Sequence, residues 1–436
     1  MARTRAEIVI GLGFGDEGKG TTIDWLARHH DARTVVRFNG GAQAGHNVVD
    51  LNGRHHTFST FGAGTFAGAR TLISRFALVN PIAALSEARV LAQKGIYPVL
   101  SWLMVEDEAL VTTPFHVAMN RLRELVRATK KNRHGSCGMG IGETVQDSLL
   151  HRENAVIRAG DLLNAVKLRA KLGRAQEIKQ SQMRAVLDES PEVTARMRVE
   201  IDVLTDPSMV ETTMEYYARF TDQAEIVGRE RLTSLLQEPG TVLFEGAQGV
   251  LLDQDFGFHP HTTWSTCTFA NADALILESG VDVDVHHLGI VRALQTRHGA
   301  GPFPTEDPAM LEHLRRDHNA TGEWQGAFRA GALDLVATRY AITVAGRVDG
   351  LVVTWADAVR DGGHVCMTYD GPRGPIHAIP VPQSLDEQAQ TTQDLFHSKP
   401  WCRHIPTSFP ETVAEMLNVP LALTSYGPTS NDKVPS

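Results

Sequence analysis

Short apolar runs rich in β-branched residues recur at 7–12, 34–38, 70–73, 241–244, 287–294 and 350–354, each followed by a glycine or polar turn. Nearly continuous apolar strands separated by helical stretches are those of a largely parallel sheet covered on both faces. Between 161 and 237 the chain turns charged, with alanine and leucine interspersed and breaks only near Pro191 and Pro207. That stretch predicts a helical lobe packed on the sheet. Four prolines between 371 and 382 punctuate the chain without forming a disordered linker. The expected architecture is a single α/β domain over 1–436, a large, mostly parallel central sheet flanked by helices, with the lobe at about 161–237.

Composition narrows the function classes. Hydrophobic residues make up 42% and charged residues 21%, enough apolar material for a sizeable core. The net charge of −9 argues against a surface that coats nucleic acid. No segment approaches the roughly 18 consecutive apolar residues of a membrane helix. The first apolar run passes directly into a glycine loop, so it is no signal-peptide core, and a cytoplasmic location is expected. Cys137, Cys267, Cys366 and Cys402 lie far apart and form no CxxC, so neither a zinc ribbon nor a disulfide framework is signalled. The histidine pairs and HPHTT at 259–263 lack the spaced carboxylates or thiolates of a transition-metal site.

Candidate chemistry clusters on the glycine turns. GFGDEGKGTT puts Gly13, Gly18 and Lys19 at the spacing of a phosphate-binding loop, but Gly20 intervenes before Thr21 and Thr22. Backbone N–H groups and the positive end of a helix starting near Lys19 suit an anion. Asp16 and Glu17 inside such a loop call for a metal or a proton-transfer duty; otherwise the segment is a tight turn with solvated acids. His46, in RFNGGAQAGHNVV, acquires a catalytic meaning only if it faces Asp16, and is otherwise structural. Gln248, in FEGAQGVLLD, can donate and accept at once, as a heterocyclic amide requires, or can simply cap a loop. RHGAGPFPTE, from Arg297, is a rigid loop. In TWAD, Asp357 has the two acceptors that guanine's N1 and N2 donors need, although a helix N-cap has the same pattern.

The ordered set GDEGKG, RFNGGAQAGHNVV, GSCGMGIGE, FEGAQGVLLD, RHGAGPFPTE, TWAD and SYGP resembles the adenylosuccinate synthetase family over almost the full length. The resemblance implies a homodimeric ligase that uses GTP and Mg2+ to phosphorylate the 6-oxygen of IMP, after which the amine of aspartate displaces phosphate and a C–N bond forms. It implies that Asp16 takes the purine N1 proton and holds magnesium with the Gly45 backbone, and that His46 acts on the 6-oxygen. Lys19 neutralises the transferring phosphoryl group and Gln248 meets the purine ring. Gly15, Glu17, Gly18, Gly20 and Thr21 line the GTP site, with Asp357, Ser425 and Gly427 at the base. Asn39, Gln43, Cys137, Thr263, Arg297, Glu323 and Arg329 fall on the substrate side, Thr263 at the 5′-phosphate.

Several positions depart from the family pattern. Gln43 stands for asparagine, Cys137 for a phosphate-binding threonine, and Trp355 for the lysine of TKxD. GIGPxYxDK becomes GIGETVQDS. The loop TTGRxR, which clamps aspartate, is replaced by Glu323 to Phe328 with Arg329 the nearby cation. An arginine fork binds carboxylate bidentately, and neither glycine nor phenylalanine replaces it. The leading expectation is therefore a ligase of this type whose amine is not L-aspartate. The alternatives are orthodox use of IMP and L-aspartate with Arg329 supplying the clamp, a non-catalytic nucleotide-binding regulator, and a switch GTPase, which lacks its lysine-serine pair and full NKxD.

Overall fold

Ten strands form one central sheet in the computed structural model, which describes residues 3–129, 135–151, 154–190, 192–313, 324 and 326–436. In chain order they are Arg5–Gly11 (β1), Thr34–Arg37 (β2), Arg70–Ile73 (β3), Leu103–Glu106 (β4), Glu225–Val227 (β5), Thr241–Gly249 (β6), Asp284–Arg292 (β7), Gly350–Thr354 (β8), Leu421–Ser425 (β9) and Lys433–Pro435 (β10). Across the sheet they run β10-β9-β8-β7-β1-β6-β2-β3-β4-β5. Every neighbouring pair is parallel except β9 with β10.

The period of two along each strand explains why the runs are apolar throughout. On β1, Val9 joins a core with Val35, Leu243 and Ile23 on one face, while Ile8 and Ile10 join Val36, Phe244 and Val336 on the other. Both faces of β1, β2 and β8 are dry, whereas β7 is partly solvated over its first half and buried over its second. The helix Lys19–His29 (α1) covers the first of these faces through Ile23, Leu26 and Ala27.

Residues 161–237 hold the helices Ala165–Leu187, Ala195–Thr205, Met209–Thr221 and Glu230–Gln237. The first two pack on Pro114–Thr129. The stretch also contains β5, which pairs with β4 at the sheet edge. Its three residues are too few to interrupt the helical pattern in the sequence, yet they extend the sheet by one strand.

A second, five-stranded sheet contains Leu294–His298, Phe328–Asp334, Gly363–Gly371, Gly374–Ile376 and Lys399–Ile405. The proline-bearing stretch from 371 therefore starts as a tight turn and a short antiparallel strand. A hairpin, His46–Val49 with His55–Phe58, follows β2. No helix among the described residues is long and apolar enough to cross a membrane. Because β9, β8, β7, β1, β6 and β2 are adjacent and parallel, their carboxyl ends open on one edge, which is where ligands of open α/β sheets bind.

Candidate functional site

The turn after β1 carries four of the predicted residues, and Glu17 organises it. Its carboxylate points inward, accepting from the Gly15 N–H at 2.6 Å and pairing with Lys19 Nζ at 3.1 Å. Lys19 Nζ also donates to the Gly15 carbonyl at 2.9 Å. Both side chains are buried. The acid whose presence in a phosphate loop looked anomalous is a brace within the loop. Gly15 has φ 103 and lies so close to the Gln248 backbone that a Cβ would stand 3.2 Å from its Cα. Only glycine meets both demands.

Asp16 faces outward. Its Oδ2 accepts from Arg292 Nη1 at 2.5 Å and Thr296 Oγ1 at 3.2 Å, whereas Oδ1 has no hydrogen-bond partner among the described residues. Arg292, the last residue of β7, is 4% exposed; its Nη1 also donates to the Asp16 carbonyl and to Thr296. The guanidinium carbon lies 3.7 Å from the Trp355 ring centroid. Gly18, in the left-handed region, rests on the Thr354 side chain, and Thr354 Oγ1 donates to the Glu17 carbonyl at 2.6 Å. The turn after β1 is thereby fastened to the end of β8.

His46 begins the hairpin and packs on the first turn of α1. A Cβ on Gly20 would lie 2.8 Å from the Asn47 carbonyl oxygen and 2.9 Å from the His46 Cβ, so glycine admits the hairpin backbone beside the helix that Asp16 precedes. His46 Nδ1 is paired with Glu245 on β6, whose other oxygen accepts from the Ala63 N–H at 3.0 Å. Nε2 has no hydrogen-bond partner among the described residues. Burial drives the His46 pKa below its ordinary value, against the pull of Glu245. Burial pushes the Glu245 carboxyl up, but His46, Arg37 and the Ala63 N–H together hold it below the usual range.

Gln43 and Gln248 converge on Gly40. Both amide atoms of Gln43 and the Oε1 of Gln248 are buried without partners, as is Oε1 of Gln295. Native interiors satisfy such atoms, and a cluster of orphaned amides marks a place where a polar ligand completes the bonding. Gln248 has φ 59. Asn39, by contrast, is saturated: it donates to the Ala247 and Thr266 carbonyls at 3.0 and 2.9 Å and accepts from the Ala247 N–H at 2.6 Å. It braces the ends of β2 and β6, with no group left over for a ligand.

The base-side candidates gather at the ends of β8 and β9. Asp357 is half-buried in the short helix Ala356–Val359, and Ser425 Oγ donates to the Gly427 carbonyl at 3.1 Å. Lys433 Nζ donates to the Gly427 and Thr429 carbonyls, and burial lowers its pKa to about 8. Thr21 Oγ1 donates to the Pro428 carbonyl at 2.8 Å, fastening α1 to the same loop.

On the opposite side the arginines are occupied. Arg297 is 1% exposed, donates to the Pro302 carbonyl at 2.9 Å and lies 4.2 Å over the Phe14 ring; burial lowers its pKa to about 9. Arg329 is held by Glu306 at 3.0 Å and by the Gly299 and Gly301 carbonyls at 2.7 and 2.9 Å. Arg329, the cation expected beside the clamp loop, has both terminal nitrogens engaged within its own loop, while its Nε is buried without a partner. Glu323 lies outside the described residues. Trp324 sits against Gly138 with Arg121 and Arg196 over its ring at 5.7 and 5.3 Å. Cys137 is in the adjoining turn, its thiol pushed up to about 11 by burial. Thr263 is half-buried and spends its N–H on the Leu252 carbonyl.

Three residues with no assigned role in the sequence reading join this site. Glu245 and His298 lay within quoted motifs, while Arg292 fell inside an apolar run. His298 Nδ1 is buried without a partner, its ring is 4.9 Å from Phe328, and burial lowers its pKa against the opposing charge of Asp16. Among the described residues no three His, Cys, Asp or Glu side chains converge to hold a metal. A hard cation shared with phosphate needs only one or two carboxylates, and the free Oδ1 of Asp16 with the exposed Gly45 fits that requirement.

The chain matches the family model described as Adenylosuccinate synthetase over residues 8–434. The adenylosuccinate synthetase of Neisseria meningitidis serogroup C is 30% identical to it, covering 100% of this chain and 98% of the relative. That of Neisseria gonorrhoeae is 31% identical over the same shares. Of solved structures, fully ligated adenylosuccinate synthetase from Plasmodium falciparum superposes with a TM-score of 0.79 at 18% identity, covering 99% of each chain. The succinoaminodeoxyadenylate synthetase of cyanophage S-2L, bound to dGMP and dATP as an energy donor, superposes with a TM-score of 0.55 at 14% identity, covering 100% of this chain and 96% of that one.

Proposed function

The chain belongs to the adenylosuccinate synthetase family of C–N bond-forming ligases, and from that premise we propose that it phosphorylates the 6-oxo group of IMP or a related purine with GTP and joins to that carbon an amine other than L-aspartate. The observation that carries the reading is the flanking of one helix turn: Asp16 precedes α1, and His46, braced by Glu245, packs on Gly20 within it.

Asp16 takes the N1 proton of the purine, which moves electron density onto the 6-oxygen and makes it a nucleophile toward the γ-phosphate. Lys19, at the head of α1, compensates the negative charge of the transferring group. His46 stabilises the 6-oxygen, and Glu245 at Nδ1 keeps the ring oriented and opposes the burial that disfavours its protonated form. The orphaned amides of Gln43 and Gln248 hydrogen-bond the purine. Magnesium, when bound, supplies positive charge beside the phosphoryl oxygens, and Asp16 Oδ1 with the Gly45 carbonyl would hold it. Phosphate then leaves the ring carbon more readily than hydroxide would as the amine attacks.

The altered amine rests on Arg329, engaged by Glu306 and two carbonyls, and on Trp324 and Phe328 in the segment that carries the clamp elsewhere in the family. The cyanophage relative's deoxynucleotide and dATP support keeping the purine and donor open to close variants within this fold. A homodimer belongs to the same reading. Orthodox use of L-aspartate is the second reading, favoured by the names of the relatives at about 30% identity. Phosphate release with GTP, Mg2+ and IMP against a panel of amines, with mass detection of the adduct, separates the two: turnover with aspartate alone removes the altered amine.

A further inference from the structure

Cys366 and Cys402, 36 residues apart in the sequence, face each other directly across two antiparallel strands of the smaller sheet. Residues directly opposite in a ladder project their side chains to the same face of the sheet, so the two thiols share one side. Cα atoms directly opposite in an antiparallel ladder lie at about 4.5–5.5 Å, within the range a disulfide spans. The ladder slips register immediately beyond the pair, between Cys366 and Thr368, so the backbone there is not held by a regular run of bonds. Cys366 is buried, and its thiol donates to the Thr368 carbonyl at 3.4 Å. Cys402 is half-buried between exposed Trp401 and Arg403, which leaves it the sulfur that solvent can reach.

We propose that Cys366 and Cys402 form a redox modification site that closes reversibly to an intrachain disulfide under peroxide. The Cys402 thiolate attacks the peroxide O–O bond, becoming the sulfenic acid while one oxygen leaves as water. The Cys366 thiol then attacks that sulfur, the S–S bond forms, and the hydroxyl departs with the thiol proton as a second water. Two thiols lose two electrons and two protons, and the peroxide is reduced. Contact with Cys366 lowers the pKa of Cys402, in keeping with the half-exposed sulfur acting first. The other two cysteines lack such a partner: burial raises the thiol pKa of both Cys137 and Cys267. Closure covalently joins strands Gly363–Gly371 and Lys399–Ile405 next to Asp334, which is in register with Cys366 at the end of the strand that bears Arg329.

The test treats the full chain with a small excess of hydrogen peroxide, quenches it, and counts thiols under denaturing conditions before and after dithiothreitol. Of the four thiols two disappear, the intact mass falls by two hydrogens, a non-reduced digest contains the 366 and 402 peptides linked, and dithiothreitol restores all four. Cys402→Ser, at a half-exposed position that tolerates the hydroxyl, abolishes the linked peptide. Four thiols surviving treatment, a sulfinic acid on Cys402 beside a free Cys366, or a linkage between two chains overturns the proposal. The ligase reading is untouched by any of these results, because none depends on turnover.

Discussion

The guanidinium of Arg292 joins two residues that the sequence separates by 339 positions: it donates to the Asp16 carboxylate at 2.5 Å and covers the Trp355 ring at 3.7 Å. One buried cation thus touches the proposed base and the residue that replaces the lysine of TKxD. Arg292→Met removes a charged hydrogen bond worth about 1.5–3 kcal/mol, so turnover falls on the order of ten- to hundredfold. Arg292→Lys restores part of it. Steady-state phosphate release checks this; unchanged turnover in the Met variant means that Asp16 is held by Thr296 without help.

The His46–Glu245 pair has a signed pH consequence. The folded-state pKa of His46 lies below its ordinary value, so as pH falls through about 6.5 the unfolded chain gains a proton that the folded chain refuses. Folded stability therefore drops toward acid. The Glu245 contribution has the other form, present above about pH 4.3 and lost below it, outside this window. His46→Gln flattens this loss as pH falls through about 6.5, read by urea unfolding across that range. An equal slope in both proteins removes His46 as its source.

Gln43 separates stability from function. With both amide atoms buried and unpartnered, it costs the free protein on the order of 1 kcal/mol. Gln43→Leu raises the urea midpoint of the ligand-free chain while raising the KM for the purine nucleotide about tenfold or more. A lower midpoint with unchanged KM contradicts both halves.

His298 has a buried, unpartnered Nδ1 beside Phe328 and within the field of Asp16. On the altered-amine reading it lies toward the amine, so His298→Leu, which keeps the packing on Phe328, raises the KM for the accepted amine by about tenfold and leaves GTP affinity within about twofold. Calorimetric titration of GTP and amine-dependent kinetics read the two separately. Equal weakening of both moves His298 to the donor side.

Much of the sheet was legible because its central strands are dry on both faces and print as unbroken apolar runs; β1, β2, β3 and β8 lie where those runs do. Edge elements were not. β5 and β10 have three residues each, too short for a periodic signal, and their existence depends on a neighbour already in place. The glycines marked a tight turn after β1, but not that Glu17 folds inward, since that needs Gly15 and Lys19 in three dimensions. Glu245 and Arg292 were silent for the same reason: their partners are 199 and 276 positions away. The two cysteines that meet across the smaller sheet share no spacing motif and could be found only from the ladder register.

β1 is flanked by β6 and β7, strands that begin at 241 and 284. During synthesis the glycine turn at 12–18 leaves the ribosome early, gains its first flanking strand only after 249 residues and its second only after 292. The turn is thus among the last parts of the chain to gain its full setting, and a ribosome stalled before 284 displays it with at most one of its two flanking strands.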